Sequence, residues 1–366
     1  MKLENYSMYL PAYTIGEQAY EKAPAICAQY GTKAAVIGGH RALAAAGSRI
    51  TAAFAGSAVT LSDPLWYGGE ASYENVDMLA AAEAVQQADM LFAVGGGKAI
   101  DTCKCLSEKT GKPVFSFPTI ASTCAATTAV SIMYRPDGVV IGPHFYDAPP
   151  VHCFICTPVI AEAPQKYMWA GMGDTYAKYF ESTVSSRGED LVHYHALGVN
   201  ISRMSLDPIL QYGAQAMQDN AAGQSSYALE QVVLSIIVTT GIASILLTKE
   251  HIIDYNTGLA HAIYYALTAY PHIEARHLHG EVVAYGITIL LLVDGDEAGF
   301  RQMYDFNRAV GLPVKLADLE LTPAQLDDLI PRVLQMKDID HNPYVITEQM
   351  LREAFARSEA LADACI

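Results

Sequence analysis

The sequence has few charged residues, and positive ones are the scarcer kind. Only 17% of its 366 residues are charged, and 23 basic against 39 acidic side chains give a net charge of −16. This balance disfavours a nucleic-acid groove or an anionic membrane surface as a partner, because both attract clustered positive charge. The acidic residues form no tail, so we interpret them as a contribution to solubility and expect a small-molecule partner.

Cysteines and long apolar runs are also scarce. Seven cysteines in a chain of this length do not suggest a disulfide framework, and the CxxC formed by Cys153 and Cys156 has no second pair nearby. The longest apolar run, residues 232–247, is shorter than the ~20 residues of a membrane-spanning helix and predicts a buried core helix. The opening MKLENYSMYLPAYTIG has no positive flank followed by an apolar core. We therefore expect no signal peptide and a reduced, cytoplasmic protein.

The order of apolar runs predicts two domains, which is also the expectation for a 51% hydrophobic chain of this length. Predicted strands at 33–37, 90–94, 113–117 and 152–157 are interspersed with predicted helices at 41–53, 76–87 and 100–109. Such alternation is typical of an α/β domain with a parallel sheet. After about residue 158 the pattern becomes helical, with breaks expected at four prolines, Pro208, Pro271, Pro313 and Pro331. We predict an α/β domain over 1–160 and an all-α domain over 161–366.

Three consecutive glycines, Gly95, Gly96 and Gly97, stand between a predicted strand and a predicted helix. A helix N-terminus offers free amide donors and the positive end of a dipole, and missing side chains let a pyrophosphate approach the backbone. Lys98 adds a cation, and Asp101 is placed to reach a nicotinamide amide or a ribose. The pattern is neither GxGxxG nor a Walker A loop. A tight turn without a ligand is the alternative, but we favour a phosphate-bearing ligand.

The turn after the first predicted strand indicates which dinucleotide the protein would bind, NAD or NADP. An acidic side chain there usually binds the adenine-ribose hydroxyls. Here the turn reads Gly38-Gly39-His40-Arg41, with one or two cations and no carboxylate. A 2′-phosphate suits this turn, so we favour NADP over NAD.

Three side chains form a candidate metal site. His261 lies in an apolar, helix-like run, and His279 follows a loop that contains Pro271. Asp174 lies in the first turn of a predicted aromatic-rich helix, after Gly171 and Gly173. One carboxylate and two imidazoles with an open position are a ligand set that a catalytic zinc uses. The alternatives are two ordinary core or surface histidines and an aspartate that caps a helix.

Five motifs together resemble one family. The motifs GGGKAID, PTIASTCAATTAVSIMY, GMGDTYAKYFE, GLAHAIYYALT and HLHGEVVAYG are similar, in order and spacing, to those of the metal-dependent, so-called iron-containing alcohol dehydrogenases, especially the glycerol dehydrogenase branch. The resemblance runs from about residue 30 to 290. It implies a dehydroquinate synthase-like architecture, a homo-oligomer, and metal ligands at Asp174, His261 and His279. The cofactor contacts that it implies are Gly39, Gly95, Gly96, Gly97, Lys98, Asp101, Thr119, Ser122, Thr128, Val130 and Tyr134.

The chain departs from this pattern at three positions. Cys124 stands where glycerol dehydrogenases carry an aspartate near the polyol. Lys178 and Tyr265 stand where the iron-type members place further histidines. A protonated lysine does not bind a metal, so we favour zinc over iron. Lys178 also shares a helix face with Asp174 and is placed to bind an anionic substrate; its alternatives are a pair with Asp174 or Glu181, or exposure to solvent.

These features predict an NAD(P)H oxidoreductase that acts on a small carbonyl or hydroxyl compound. Cys124 and Lys178 favour 2-oxo and 2-hydroxy carboxylic acids, as in the similar hydroxycarboxylate dehydrogenases. Tyr265, His277 or a water molecule would relay the proton. The alternatives are a glycerol or polyol dehydrogenase, a dehydroquinate synthase-like cyclase, and a cofactor-binding protein without catalysis.

Overall fold

The computed structural model describes residues 5–364 and divides them into two compact units. The first unit comprises the described residues up to Pro164 together with Gln218–Ile245. The second comprises Gln165–Met217 and the described residues from Leu246 onward. The first unit contains all of the strands described.

The first unit is built on a seven-stranded sheet in which every pair of neighbouring strands is parallel. Its strands, in sheet order, are Tyr13–Gly16, His152–Cys156, Val114–Pro118, Met90–Gly95, Lys33–Gly38 and Thr60–Leu61, with Leu65–Trp66 also paired to Lys33–Gly38. The central strands are buried along their whole length, which explains their continuous apolar sequence. The four strands predicted from the sequence are present, and Cys153 and Cys156 are buried in one of them.

The ends of three adjacent strands place the predicted cofactor residues along one edge of this sheet. Gly38 is in register with Val94, and Gly95 with Pro118. The carboxyl ends of parallel strands are where doubly wound folds bind their ligands. Gly39, the three glycines after Val94, and Thr119 therefore lie along the same edge.

Helices connect the strands of the first unit. They are Ala23–Cys27, His40–Phe54, Tyr73–Ala81, Glu83–Gln87, Gly97–Thr110 and Thr157–Ala161, with a 3₁₀ turn at Ala19–Lys22. The predicted helix at 76–87 is two helices, because Ala82 between them adopts an extended conformation. The sequence analysis did not predict the edge strand Tyr13–Gly16 or the antiparallel hairpin Val130–Tyr134 and Val140–Phe145.

The boundary predicted at 160/161 differs from the division into units, because Gln218–Ile245 belongs to the first unit. Local contacts explain this. Asn220 donates its side-chain amide to the carbonyl oxygens of Ala161 and Ala163, at 2.7 and 2.9 Å. Ser225 bonds the hydroxyl of Thr157 at 2.9 Å. A prediction that divides the chain at one position cannot assign a later segment such as Gln218–Ile245 to the first unit.

The apolar run at 232–247 is part of a longer helix, Tyr227–Leu247, of 21 residues. It comprises Tyr227–Val233, a π-helical turn at Leu234–Thr239, and Thr240–Leu247. Its length and composition would allow it to cross a membrane, so the argument from a short run was wrong. However, 72% of its most apolar stretch is buried inside the structure, as expected for a core helix.

Helices are the main regular structure of the second unit, and its described residues contain no strand. Its helices are Gln165–Ser185, His193–Ser202, Asp207–Ala221 (whose last residues belong to the first unit), Leu259–Leu267, Pro271–Arg276, His279–Asp294, Glu297–Val310, Leu326–Val333 and Glu348–Ala364, with 3₁₀ turns at Arg203–Ser205, Leu316–Leu319, Pro323–Gln325 and Lys337–Ile339. Pro208 and Pro271 lie in the first turns of helices, where a missing N–H costs nothing. The breaks predicted near Pro208, Pro271 and Pro313 are confirmed, because a helix ends shortly before each of them. Pro331 lies inside a helix, so the break predicted there was wrong.

Three of these helices carry the candidate metal ligands. We call Gln165–Ser185 the aspartate helix, Leu259–Leu267 the first histidine helix and His279–Asp294 the second histidine helix.

Candidate metal centre and cofactor residues

Glycines let the three helices approach closely beside the ligands. A Cβ at Gly173 would lie 2.2 Å from the carbonyl oxygen of Gly280, and a Cβ at Gly280 would lie 2.0 Å from that of Ala170. The aspartate helix and the second histidine helix are therefore in backbone contact. Gly286 makes a similar contact with Ala260 of the first histidine helix, where an added Cβ would lie 2.8 Å from its Cα. Each contact is next to, or within two turns of, a candidate ligand.

The three predicted ligands meet where these helices cross. Oδ1 of Asp174 lies 3.5 Å from Nε2 of His261 and 3.3 Å from Nε2 of His279. One ligand atom from each residue lies within 4.8 Å of the other two. The side chains of His261 and Asp174 are 8% and 15% exposed, whereas that of His279 is 32% exposed. The cluster is thus enclosed by the helices but open beside His279.

A fourth side chain, Glu181, orients His261 from behind. Its side chain is fully buried, and its Oε2 accepts a 2.6 Å hydrogen bond from Nδ1 of His261. Its Oε1 accepts from the backbone N–H groups of Gly258 and His261, at 2.9 and 3.0 Å. These bonds cap the first histidine helix and hold the proton on Nδ1. Nε2 of His261 is the nitrogen that faces Asp174, and it would offer its lone pair to a metal ion that displaces the second proton of the ring.

The charges in the cluster attract a cation. Burial alone would raise the pKa of Asp174, but His279 and His261 hold it well below its usual range. Burial alone would lower the pKa of His261, but Glu181 and Asp174 raise it to about 10. Two carboxylates facing two imidazoles therefore favour added positive charge, either as protons or as a divalent metal ion.

The donor set fits such a metal ion. One carboxylate and two imidazoles are suited to zinc and to related transition metals, and three protein ligands leave a position for a substrate oxygen. A carboxylate behind a ligating histidine is also a recurring feature of metal sites. Asp174, His261 and His279 would hold the ion, with Glu181 orienting His261.

Lys178 is buried one turn after Asp174, and its ammonium bonds Asn256. Nζ donates to the backbone oxygen of Asn256 at 2.5 Å and to its side-chain oxygen at 2.7 Å. The residue is 6% exposed. This contact fixes the position of the ammonium.

The candidates for the proton relay have different surroundings. The ring of Tyr265 lies 6.3 Å from that of His261, measured between centroids, and lines a cavity of about 260 Å³. His277 is directed to Glu281, which accepts from its Nδ1 at 2.8 Å and from the backbone N–H of Leu278.

A further tyrosine, Tyr264, packs edge-on against His279, with 4.3 Å between the ring centroids. Burial raises the pKa of Tyr264 to about 12.

In the first unit, the glycine turn at Gly95, Gly96 and Gly97 connects a strand to a helix as predicted. Gly95 has φ +155°, and Cβ atoms at Gly95 and Gly96 would lie 2.9 Å from Cβ of Ala99 and 2.6 Å from Cδ1 of Ile120. Gly97 begins the helix, whose first N–H groups have no partner within it. The backbone here suits a phosphate group.

The other predicted cofactor residues are arranged around this turn. Lys98 forms an ion pair with Glu70 at 2.6 Å, and its Nζ lies 4.6 Å from the ring centre of Tyr134. Thr119 donates its backbone N–H to Gly95. Asp101 is directed inward, where Oδ2 accepts from the backbone N–H of Ile132 at 3.2 Å. Burial raises the pKa of Asp101.

The remaining three predicted contacts lie in or directly after the segment that follows Thr119. Ser122 is partly exposed, and Thr128 is buried and donates its hydroxyl to the backbone oxygen of Val130. Val130 begins the first strand of the hairpin.

Sequence reasoning missed three contacts: Glu181 with His261, Asn256 with Lys178, and Tyr264 with His279. Glu181 lies two helical turns after Asp174, so helical spacing alone would have placed both on one face. The partners of Glu181 are 77 and 80 positions away in the chain. No local pattern indicates them.

Comparison with known proteins identifies the class. Residues 11–147 match the family described as iron-containing alcohol dehydrogenase. The chain is 32% identical to hydroxycarboxylate dehydrogenase A of Escherichia coli (strain K12) over 334 residues, which cover 90% of each chain. It is 30% identical to a glycerol dehydrogenase of Thermotoga maritima over 277 residues, which cover 72% of this chain and 71% of that protein. The crystal structure of a probable glycerol dehydrogenase from Sinorhizobium meliloti 1021 is similar, with a TM-score of 0.82 and 26% identity. The match covers 98% of this chain and 99% of that one.

The chain belongs to the iron-containing alcohol dehydrogenase family. It is a dehydrogenase acting on alcohol groups, in a family that binds a metal and uses a nicotinamide cofactor. The predicted fold, a parallel α/β domain followed by a helical domain, is confirmed. The relatives are dehydrogenases, so the cyclase alternative gains no support.

Proposed function

We propose that this protein transfers hydride between NAD(P)H and a small 2-oxo or 2-hydroxy carboxylic acid, with Asp174, His261 and His279 holding a divalent metal, zinc rather than iron. The observation that carries the choice of substrate is the buried ammonium of Lys178, one helical turn after Asp174. A buried cation one helical turn from Asp174 would bind the carboxylate of a substrate through a charge-assisted contact, which a neutral polyol cannot form. The similarity to a hydroxycarboxylate dehydrogenase supports the same class.

Each residue of the site then has a distinct task. Asp174, His261 and His279 would hold the divalent ion, which would supply Lewis-acid stabilisation of negative charge on the substrate oxygen. Glu181 keeps the imidazole of His261 in one tautomer and one orientation. Asn256 holds Lys178 in place, and the ammonium of Lys178 orients the substrate through its carboxylate. Tyr265, whose ring lies 6.3 Å from that of His261, would donate the proton that the product oxygen takes up.

The glycine turn and its neighbours would bind the dinucleotide. Gly95, Gly96 and Gly97 present backbone N–H groups to the pyrophosphate. The turn at Gly39 bears no acidic residue, and His40 stacks on Trp66 with ring centroids 5.4 Å apart. Because a carboxylate there would repel a 2′-phosphate and none is present, we favour NADP.

A substrate screen with a Lys178→Met variant tests the choice of substrate. Oxidation of NADPH and NADH would be followed with a series of 2-oxo acids and with dihydroxyacetone. Loss of a charge-assisted contact should raise the KM for a 2-oxo acid by about 10- to 100-fold, with a much smaller change for an uncharged carbonyl compound. Lys166→Met, an exposed lysine on the same helix, is the control and should behave as the wild type.

The same screen separates the alternative function. A glycerol or polyol dehydrogenase is also consistent with the relatives. Turnover of dihydroxyacetone with NADH, no turnover of 2-oxo acids, and an unaffected Lys178→Met variant would establish that alternative. Reduction of 2-oxo acids with an unchanged KM in Lys178→Met would keep the substrate class and remove the role of Lys178.

A further inference from the structure

Lys104 is a buried lysine in the helix that follows the glycine turn. It lies on the helix Gly97–Thr110, and only 3% of its surface is exposed. Burying an ammonium is costly unless all of its donors are paired. Nζ of Lys104 faces three acceptor oxygens. It forms an ion pair with Oδ1 of Asp101 at 2.8 Å, and it donates hydrogen bonds to Oγ1 of Thr128 at 3.1 Å and to the backbone oxygen of Val130 in a short contact. The ion pair and the two hydrogen bonds together offset the burial of the ammonium.

Two of those acceptors lie at the end of the segment 119–130, which packs against the glycine turn. Thr119 donates its backbone N–H to Gly95 at 3.1 Å. A Cβ at Gly96 would lie 2.6 Å from Ile120, and a Cβ at Gly97 would lie 3.3 Å from the hydroxyl of Thr123. The position of this segment therefore determines how much space remains above the turn.

The middle of the segment has a separate anchor. The hydroxyl of Thr127 donates to the backbone oxygen of Ile237 in a short contact. Ile237 lies in the π-helical turn Leu234–Thr239, where the backbone is irregular. Thr127 thus fixes the segment to one helix, while Lys104 fixes its end to the helix that begins at Gly97.

We infer that Lys104 is a positioning residue for the nicotinamide cofactor, because it joins Asp101 on the helix of the glycine turn to Thr128 and Val130 at the end of the segment beside that turn. The inference rests on the proposed cofactor site. Lys104 itself is enclosed by protein and acts through the residues that it holds. Without its ammonium, Thr128 and Val130 lose their direct bonds to this helix. The bonds of Ser131 and Ile132 to Asp101 then hold the end of the segment from beyond Val130, and Thr128 and Val130 are held less firmly beside the turn.

Calorimetric titration of the metal-loaded protein with NADPH and with NADH tests this inference. Lys104→Met should raise the dissociation constant of the cofactor by at least about tenfold, the size expected for losing hydrogen bonds to a charged group. The metal content should stay at the wild-type value, since the metal ligands lie in the other unit. Lys104→Gln, whose amide keeps donors, replaces the Met variant if that variant does not fold. It should give a smaller rise.

Lys109→Met is the matched control. Lys109 lies on the same helix and forms an ion pair with Asp77, but its side chain is 48% exposed. It should bind cofactor as the wild type does. A folded Lys104 variant with wild-type cofactor affinity, or equal weakening in the Lys109 variant, would overturn the inference. A wild type that binds neither dinucleotide would instead refute the proposed function.

Discussion

Replacing Gly280 with alanine should remove the metal and the activity while leaving all three ligands in the chain. The new Cβ would lie 2.0 Å from the carbonyl oxygen of Ala170 and 3.0 Å from Cβ of Asp174. Neither neighbour can rotate out of the way, because one is backbone and the other is the first atom of a ligand side chain. The aspartate helix and the second histidine helix must therefore move apart.

The separation acts directly on the ligand geometry. His279 is adjacent to Gly280, and Asp174 is adjacent to Gly173, which makes the reciprocal contact. Metal sites need their ligands within about 0.5 Å of the productive geometry. We expect a stability loss of about 1–3 kcal/mol from overpacking and a more than roughly tenfold weaker metal affinity.

The measurements are the midpoint of thermal unfolding and metal content by elemental analysis. Gly47→Ala is the control, because Gly47 lies within the helix His40–Phe54 and a Cβ there has no neighbour within 4 Å. It should be neutral or slightly stabilising, since alanine is the better helix former. A Gly280→Ala variant that keeps its metal, its stability and its rate would show that the helices tolerate the added carbon.

Glu181→Gln should weaken metal binding by about 10- to 100-fold, the usual range for a residue that orients a ligand. Glutamine has the same shape, so its oxygen can still accept from the backbone N–H groups of Gly258 and His261. Its NH₂ group would then face Nδ1 of His261, which is a donor in the native arrangement. Two donors in contact force His261 into the other tautomer, which places a proton on Nε2, the nitrogen that faces Asp174.

Competition with a chromogenic chelator measures the metal dissociation constant without reference to activity. Glu162→Gln is the same substitution at an exposed residue paired with Arg49, and it should leave the constant unchanged. An unaltered metal affinity in Glu181→Gln would mean that the bond between Glu181 and His261 does not determine the state of Nε2.

Local sequence patterns predicted the parts of this fold that depend on neighbouring residues. The strands that end at Gly38 and Gly95 are short apolar runs followed by glycine and a helical segment, so their type and position could be predicted. His261 and His279 each begin or lie near the beginning of a helix, and the motifs around them resemble a known family. The three residues chosen as ligands are the three that the structure brings together.

The features that escaped prediction depend on contacts between distant parts of the chain. Gln218–Ile245 joins the first unit because Asn220 and Ser225 bond residues that precede Gln165. Glycine in a helix usually weakens it, so Gly173 and Gly280 gave no positive signal until their helices were seen in contact. Asn256 follows an irregular stretch and bonds Lys178 across 78 positions. Such pairs are set by the packing of helices, which hydrophobic periodicity alone does not specify.

The most direct test of the account is the rate of NAD(P)H-linked reduction of a 2-oxo acid before metal removal, after it, and after Zn²⁺ is returned. We predict that chelation abolishes turnover, that a stoichiometric amount of Zn²⁺ restores it, and that the Gly280→Ala variant regains far less activity at the same Zn²⁺ concentration. Full turnover by protein shown to be free of metal would contradict the assignment of Asp174, His261 and His279 as the centre of the reaction.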